Sequence, residues 1–119
     1  MADKAWKAFE RRVAHSLGTV RAPLSGGASR HTRSDTLHPD LYVECKNTQR
    51  VNVYALRRET WPLAERESKI PVLALHESRR KGSLAVIDWD FFLQLWECYR
   101  YVGMEKGWLD QNGRLPEKE

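Results

Sequence analysis

Cysteine is scarce in this chain, and long apolar runs are missing. Two cysteines in 119 residues, Cys45 and Cys98, do not suggest the disulfide framework of a small secreted scaffold. With His31 and His38 they match the spacing of no compact zinc module. No stretch approaches the roughly 20 apolar residues that span a bilayer, and the opening residues lack the pattern of a secretory leader. The expectation is a soluble, intracellular protein without a membrane partner. At this length the chain can bury one core of moderate size. The expected organisation is a folded domain over 1–102 and a polar C-terminal tail over 103–119 anchored by Trp108 and Leu109.

Charge is unevenly spread. The net charge is +4; the first 60 residues carry 11 Lys/Arg against 6 Asp/Glu (+5) and the remaining 59 carry 9 against 10 (−1). A basic half is what a polyanionic backbone would approach, through counterion release.

Hydrophobic spacing gives an α/β order of elements. Trp6, Phe9, Val13 and Leu17 form one stripe of a helix over 4–16, with Asp3 as N-cap. Glu10 lies on the margin of that stripe. Thr19 to Pro23 reads as a short strand. A segment of small, hydroxylic and basic residues follows from Leu24 to Ser34, in which Ser25, Ser29, Arg30 and Arg33 are phosphate-contacting types. Residues 52–68 read as helix, with Pro62 kinking it or starting a second one and Trp61 as a core residue. Ile70 to His76 is a buried strand. Ser78-Arg79-Arg80-Lys81-Gly82 is a basic turn and Ser83 to Ile87 a last strand. Asp88 caps a helix over 89–102, whose Phe91, Phe92, Leu95, Trp96, Tyr99 and Val102 cover more than one face and call for burial on two sides, one of them a subunit interface.

The chemistry concentrates between Asp35 and Lys46. If Ser34–His38 and Leu41–Lys46 are two arms of a hairpin with Pro39-Asp40 as its loop, Asp35 stands opposite Glu44. Their β-carbons would then be roughly 5 Å apart, close enough to share a divalent cation. Alternation puts Lys46 on the face of Glu44 and turns Val43 and Cys45 away. Asp40 is four residues along the same strand from Glu44, roughly 13 Å away, which removes it from the set.

This order of parts, from a helix bearing Glu10 through a strand and a Gly/Ser/Arg loop to Asp35 and Glu44-x-Lys46, resembles the PD-(D/E)xK nuclease superfamily, with Ser34 where the proline of that name would stand. It resembles in particular the small archaeal-type Holliday junction resolvases, over roughly residues 4–100, and suggests a bacteriophage-encoded member working in the host cytoplasm. The resemblance implies a restriction-endonuclease-like core, a central mixed sheet flanked by helices, and a homodimer. It implies Glu10, Asp35, Glu44 and Lys46 as the catalytic set. Magnesium, or manganese in its place, would be held by Asp35, Glu44, the Cys45 carbonyl and Glu10, with Lys46 orienting the attacking water. Hard oxygen ligands suit those ions better than zinc. Arg11, Arg21, Ser25 and Ser29 would match the family's basic and hydroxyl positions. Arg30, Arg33, Arg57, Arg58, Arg79, Arg80 and Lys81 complete the expected DNA-binding set. The expected activity is paired nicking of four-way DNA junctions, the alternatives being another nuclease of the superfamily or a non-catalytic DNA-binding module.

Overall fold

The computed structural model of the chain describes residues 4–23 and 32–117. The chain divides into two compact units, Met1–Val86 and Ile87–Glu119.

The first unit is built on a three-stranded mixed sheet. Its elements are α1 (Ala5–Ser16), β1 (Leu41–Thr48), α2 (Val53–Arg66), β2 (Ile70–Glu77) and β3 (Leu84–Val86). β1 and β2 are parallel, joined by the α2 crossover, and β3 returns antiparallel to β2 in the order β1-β2-β3. The alternation of β1 divides its two faces. Val43 and Cys45 pack with Phe9 of α1 and with Ala74. Leu73 and Leu75, the register partners of Glu44 and Lys46, pack with Leu56 of α2. The strand bearing the proposed chemistry is therefore held from one face by α1 and from the other by α2.

The first helix follows its apolar stripe with one exception. Val13 and Leu17 pack on the Phe9 cluster, but Trp6 is 39% exposed. The guanidinium of Arg21 lies 5.5 Å from its ring centre, so the indole serves as a cation platform. Lys4 occupies the N-cap position without a side-chain bond; the expected cap, Asp3, lies outside the described residues. α1 ends in a left-handed Gly18 (φ 74°), with Thr19 N donating to Ala14 O and Gly18 N to His15 O, the bond pair that closes a helix C-terminus. α2 ends in the same way on Ser68 (φ 54°). α2 opens on Asn52, whose side chain accepts from Ala55 N, and runs through Pro62 as one helix. Its buried residues, Leu56, Thr60 and Ala64, lie on one face and Pro62 on the exposed one, so packing against the sheet outweighs the missing amide bond. Trp61 is half-buried against the Leu56 cluster.

The second unit is α3 (Trp89–Lys106) and the residues after it. The helix continues past Val102, so the boundary expected there falls inside it, and it closes on a left-handed Gly107. The last residues fold back: Leu109 is buried and its N–H donates to Gly103 O. A β-carbon at Gly103 would meet Leu109 Cγ at 2.9 Å. Trp108 stacks on Tyr99, and Tyr99 on Trp96. Of the two buried sides expected for α3, one was a subunit interface, and within the single chain the helix buries Gly103 alone. The side chain of Leu109 covers Gly103. Phe92, Leu95, Tyr99 and Val102 are 39–46% exposed. No helix among the described residues is long and apolar enough to cross a membrane.

Candidate active site

The segment before β1 forms an outer extension of the sheet. Asp35 N donates to Val43 O, Ala22 N to Asp35 O and Leu37 N to Val20 O, with an antiparallel bridge between Arg21 and Thr36. Residues 20–22 and 34–37 thus line up beside β1. The expected two-residue hairpin is not what joins them. His38 Nδ1 accepts from both Asp40 N and Leu41 N, and the wider turn displaces the register.

Asp35 consequently faces Val43 rather than Glu44. Ser34 is the cause: its Oγ accepts from Val43 N at 2.8 Å and lies 3.2 Å from Val43 O, to which it donates. A side-chain hydroxyl thus occupies the rung where a backbone carbonyl would sit. The same Oγ accepts from Thr36 N. The Asp35 carboxylate still reaches the intended strand, because Oδ2 accepts from Cys45 N at 2.7 Å. The expected direct opposition is replaced by a reach across one residue, and the acidic groups remain neighbours.

Their electrostatics record that proximity. Asp35 is 7% exposed, and its carboxyl is pushed up to about 7, first by burial and then by the charge of Glu44, with Glu10 adding to the rise and Cys45 N–H and Lys46 opposing it. Burial also raises Glu44, against the pull of Lys46, whose Nζ is 3.6 Å from Glu44 Oε1, while Glu10 and Glu59 push it further up. The buried Cys45 thiol is raised by burial and then by Asp35, Glu10 and Glu44, and the Tyr42 phenol by burial and then by Glu44, Glu67 and Asp35. Each of these groups resists acquiring negative charge first because it is buried and then because other carboxylates are near.

Glu10 is buried and tied to Arg21, whose Nε–H donates to Oε1 at 2.6 Å. Its carboxylate therefore brings its own counter-charge. Glu44 lines a cleft with Arg33, Tyr42, Glu59 and Thr60. Glu59, exposed on α2, was not among the residues singled out from the sequence, yet it lines this cleft and its charge acts on Glu44. Glu67 was passed over as well. Its carboxylate accepts from Thr32 Oγ1 and from Arg33 N, and Lys69 Nζ lies 3.2 Å away. Burial would raise this carboxyl, but those three donors together hold it below its ordinary value. The clamp fixes the chain two residues ahead of Ser34.

The expected DNA-contacting residues are scattered over the chain. Ser25, Ser29 and Arg30 lie outside the described residues. Arg21 and Arg33 sit beside the acidic cluster, and Arg11 is half-buried on α1. Arg57, stacked on Trp61, and the exposed Arg58 belong to α2, whereas Arg79, Arg80 and Lys81 are exposed on the turn between β2 and β3. Asp40 is exposed at the start of β1, where its carbonyl accepts from Ile70 N.

Crowded hard carboxylates with raised affinity for protons are the donor chemistry that suits a divalent cation. Among the described residues, no group of three or more His, Cys, Asp or Glu is already gathered as a metal site. Comparison of the chain with protein-family models, with curated proteins and with solved structures gives no match.

Proposed function

We propose that this protein is a metal-dependent endodeoxyribonuclease of the PD-(D/E)xK type, with a restriction-endonuclease-like core, and that it nicks four-way DNA junctions in symmetric pairs. The reading rests on one observation: the buried Asp35 carboxyl, pushed up to about 7 by burial and by Glu44, meets β1 beside Glu44 and Lys46. Two carboxylates and one ammonium at one spot suit phosphodiester hydrolysis.

Asp35 and Glu44, with the Cys45 carbonyl, are the groups that would hold magnesium, or manganese in its place. When bound, that ion supplies a water of lowered pKa and neutralises charge on the phosphoryl and leaving oxygens. The chain's own residues do the rest. Cys45 N–H aims the Asp35 carboxylate. Lys46, with its side chain 45% exposed, can turn from Glu44 to orient water or a phosphate oxygen. Glu10, paired with Arg21, acts behind Asp35 by its charge, and Arg21 presents the far side of its guanidinium towards an incoming phosphate.

The proposed protein works as a homodimer paired through α3. Phe92, Leu95, Tyr99 and Val102 recur at three- and four-residue steps, the spacing of a helix-pairing seam, and their exposure leaves that seam open. A two-fold pair would present two sites to two symmetric strands.

Incubation with a labelled immobile junction, magnesium and excess linear duplex tests the reading. Paired symmetric nicks that resist the competitor are expected, lost in Glu44→Gln and reduced by about 10²–10⁴ in Lys46→Ala if the ammonium takes part in proton transfer. Degradation of every duplex would point to another nuclease of the superfamily. A second reading, a DNA-binding module without catalysis, is favoured by the tie between Arg21 and Glu10; binding with no nick under either metal would select it.

A further inference from the structure

The connection between β2 and β3 is held more firmly than an exposed turn requires. Ser78 N donates to Thr48 O, and Ser78 Oγ donates to Asn47 Oδ1. His76 lies between the same Asn47 oxygen, 3.0 Å from Nδ1, and the carbonyl of Arg80, to which Nε2–H donates at 2.7 Å. The other side of the imidazole rests on Phe9, with ring centres 5.5 Å apart. A chain of contacts thus runs from the core of α1, through the end of β1, to the backbone of a turn bearing Arg79, Arg80 and Lys81. Arg79 adopts φ 69°, a left-handed conformation that glycine or asparagine takes more cheaply. The turn geometry does not ask for an arginine there.

Two clefts of about 230 and 350 Å³ open beside this turn and share Leu75, Glu77 and Leu84. The first begins at Lys46 and continues past Thr48 and Arg50. The second ends at Arg80, Lys81 and Ser83. Among their described lining residues, four cations stand against the one carboxylate of Glu77, itself 3.6 Å from Arg80 Nε in an exposed pair. Such pairs are weak and readily exchanged for a phosphate. The first cleft is smaller than the pockets that enclose most small ligands, roughly 300–1,000 Å³, and the second only just enters that range. A shallow, basic furrow with hydroxyl donors suits a polymer laid across it.

We propose that this furrow carries the sugar-phosphate backbone of the DNA arm leaving the active site, from Lys46 past Thr48 and Arg50 to the Arg80-Lys81 turn, with Asn47 and His76 bracing the turn against β1. The proposal rests on the DNA reading above but not on cleavage.

Binding of a labelled junction and of a labelled linear duplex, measured without divalent metal over a series of salt concentrations, tests it. The double variant Arg80→Ala/Lys81→Ala changes two exposed side chains and leaves the fold intact. It should weaken both probes about tenfold and flatten the dependence of log K on log[salt] by about 2, near one unit per lost phosphate contact. Arg50→Ala should flatten it by about 1, and Lys106→Ala on α3 should change nothing. An unchanged slope in the double variant overturns the furrow, even if the wild type nicks junctions. A flattened slope in a protein that never nicks keeps the furrow and overturns the nuclease. Failure of the wild type to bind either probe overturns both.

Discussion

Between Thr32 and Lys46 the protein hides groups that prefer water, whereas along α3 it exposes groups that avoid it. Thr32, Ser34, Asp35 and Thr36 are all buried, while Trp89 is 69% and Leu95 46% exposed. Burying polar groups is costly unless each finds a partner, and among the described residues no buried side-chain nitrogen or oxygen lacks one. Exposed apolar side chains become informative when they are contiguous, as the helix-spaced residues of α3 are. The contrast is the one expected if the first region serves the proposed site and the second the proposed pairing of two copies. Departures from the usual inside–outside rule separate those two roles more clearly than composition does.

The sharpest way to break the comparison is to remove the most costly buried group. Asp35 titrates near 7 in the folded chain and near 3.9 when unfolded. Between those values the native state holds a proton that the unfolded chain has released, so stability must fall as pH rises from about 4 to about 7. Glu44, also raised, adds a slope of the same sign. Glu67, held low, acts oppositely and only in the acid range. In chelator, the wild type should lose on the order of 2–4 kcal/mol across that window, because one proton held over each pH unit is worth about 1.4 kcal/mol. Asp35→Asn should flatten most of the loss. Magnesium at pH 8 should raise the wild-type melting temperature more than that of Asp35→Asn. A slope that survives the substitution would remove the argument for a strained carboxylate.

How far the site was legible follows from which forces the sequence carries. Glu44 and Lys46 share a face and Val43 and Cys45 turn inward because strand alternation is a local rule, and the rule held. The helix between two strands was likewise implied by helix and strand periodicities, whereas the parallel pairing of those strands comes from the structure. The register between Asp35 and β1 was not legible, because a single hydroxyl, Ser34 Oγ, takes the ladder position of a carbonyl, and no pattern announces that a side chain will do so. Glu59 and Arg21 acquire their neighbours only through tertiary packing. For α3, apolar spacing reports that a helix wants cover but not whether its own chain or a second copy provides it.

Ser34 offers a finer test of the buried region. Ser34→Ala keeps the volume nearly constant and leaves Val43 N and Thr36 N without their acceptor, so a loss of about 1–3 kcal/mol is expected in urea unfolding. Ser34→Pro, which introduces the residue named in the signature of the proposed nuclease family, should cost more. It removes the hydroxyl and also the N–H that donates to Thr32 Oγ1. A Ser34→Pro protein as stable as the wild type would mean that the strand can re-pair through its backbone, and the register would then not depend on the hydroxyl.

The smallest expected stability effect lies on α3, and there it sharpens the contrast. Leu95 and Val102 are nearly half exposed, so serine at both positions should change the stability of dilute protein by no more than about 0.5 kcal/mol each, as for substitutions outside a packed core. Their effect should appear in association. If the seam pairs two copies, the wild type melts at a temperature that rises with protein concentration, and light scattering returns twice the chain mass. Leu95→Ser/Val102→Ser should return the single mass and a melting temperature independent of concentration. Were the double variant instead to unfold outright, Leu95 and Val102 would be core residues of their own unit and α3 no longer the counterpart of the buried site. A wild type that stays monomeric at high concentration would leave the helix exposed but assign its cover to something other than a second copy.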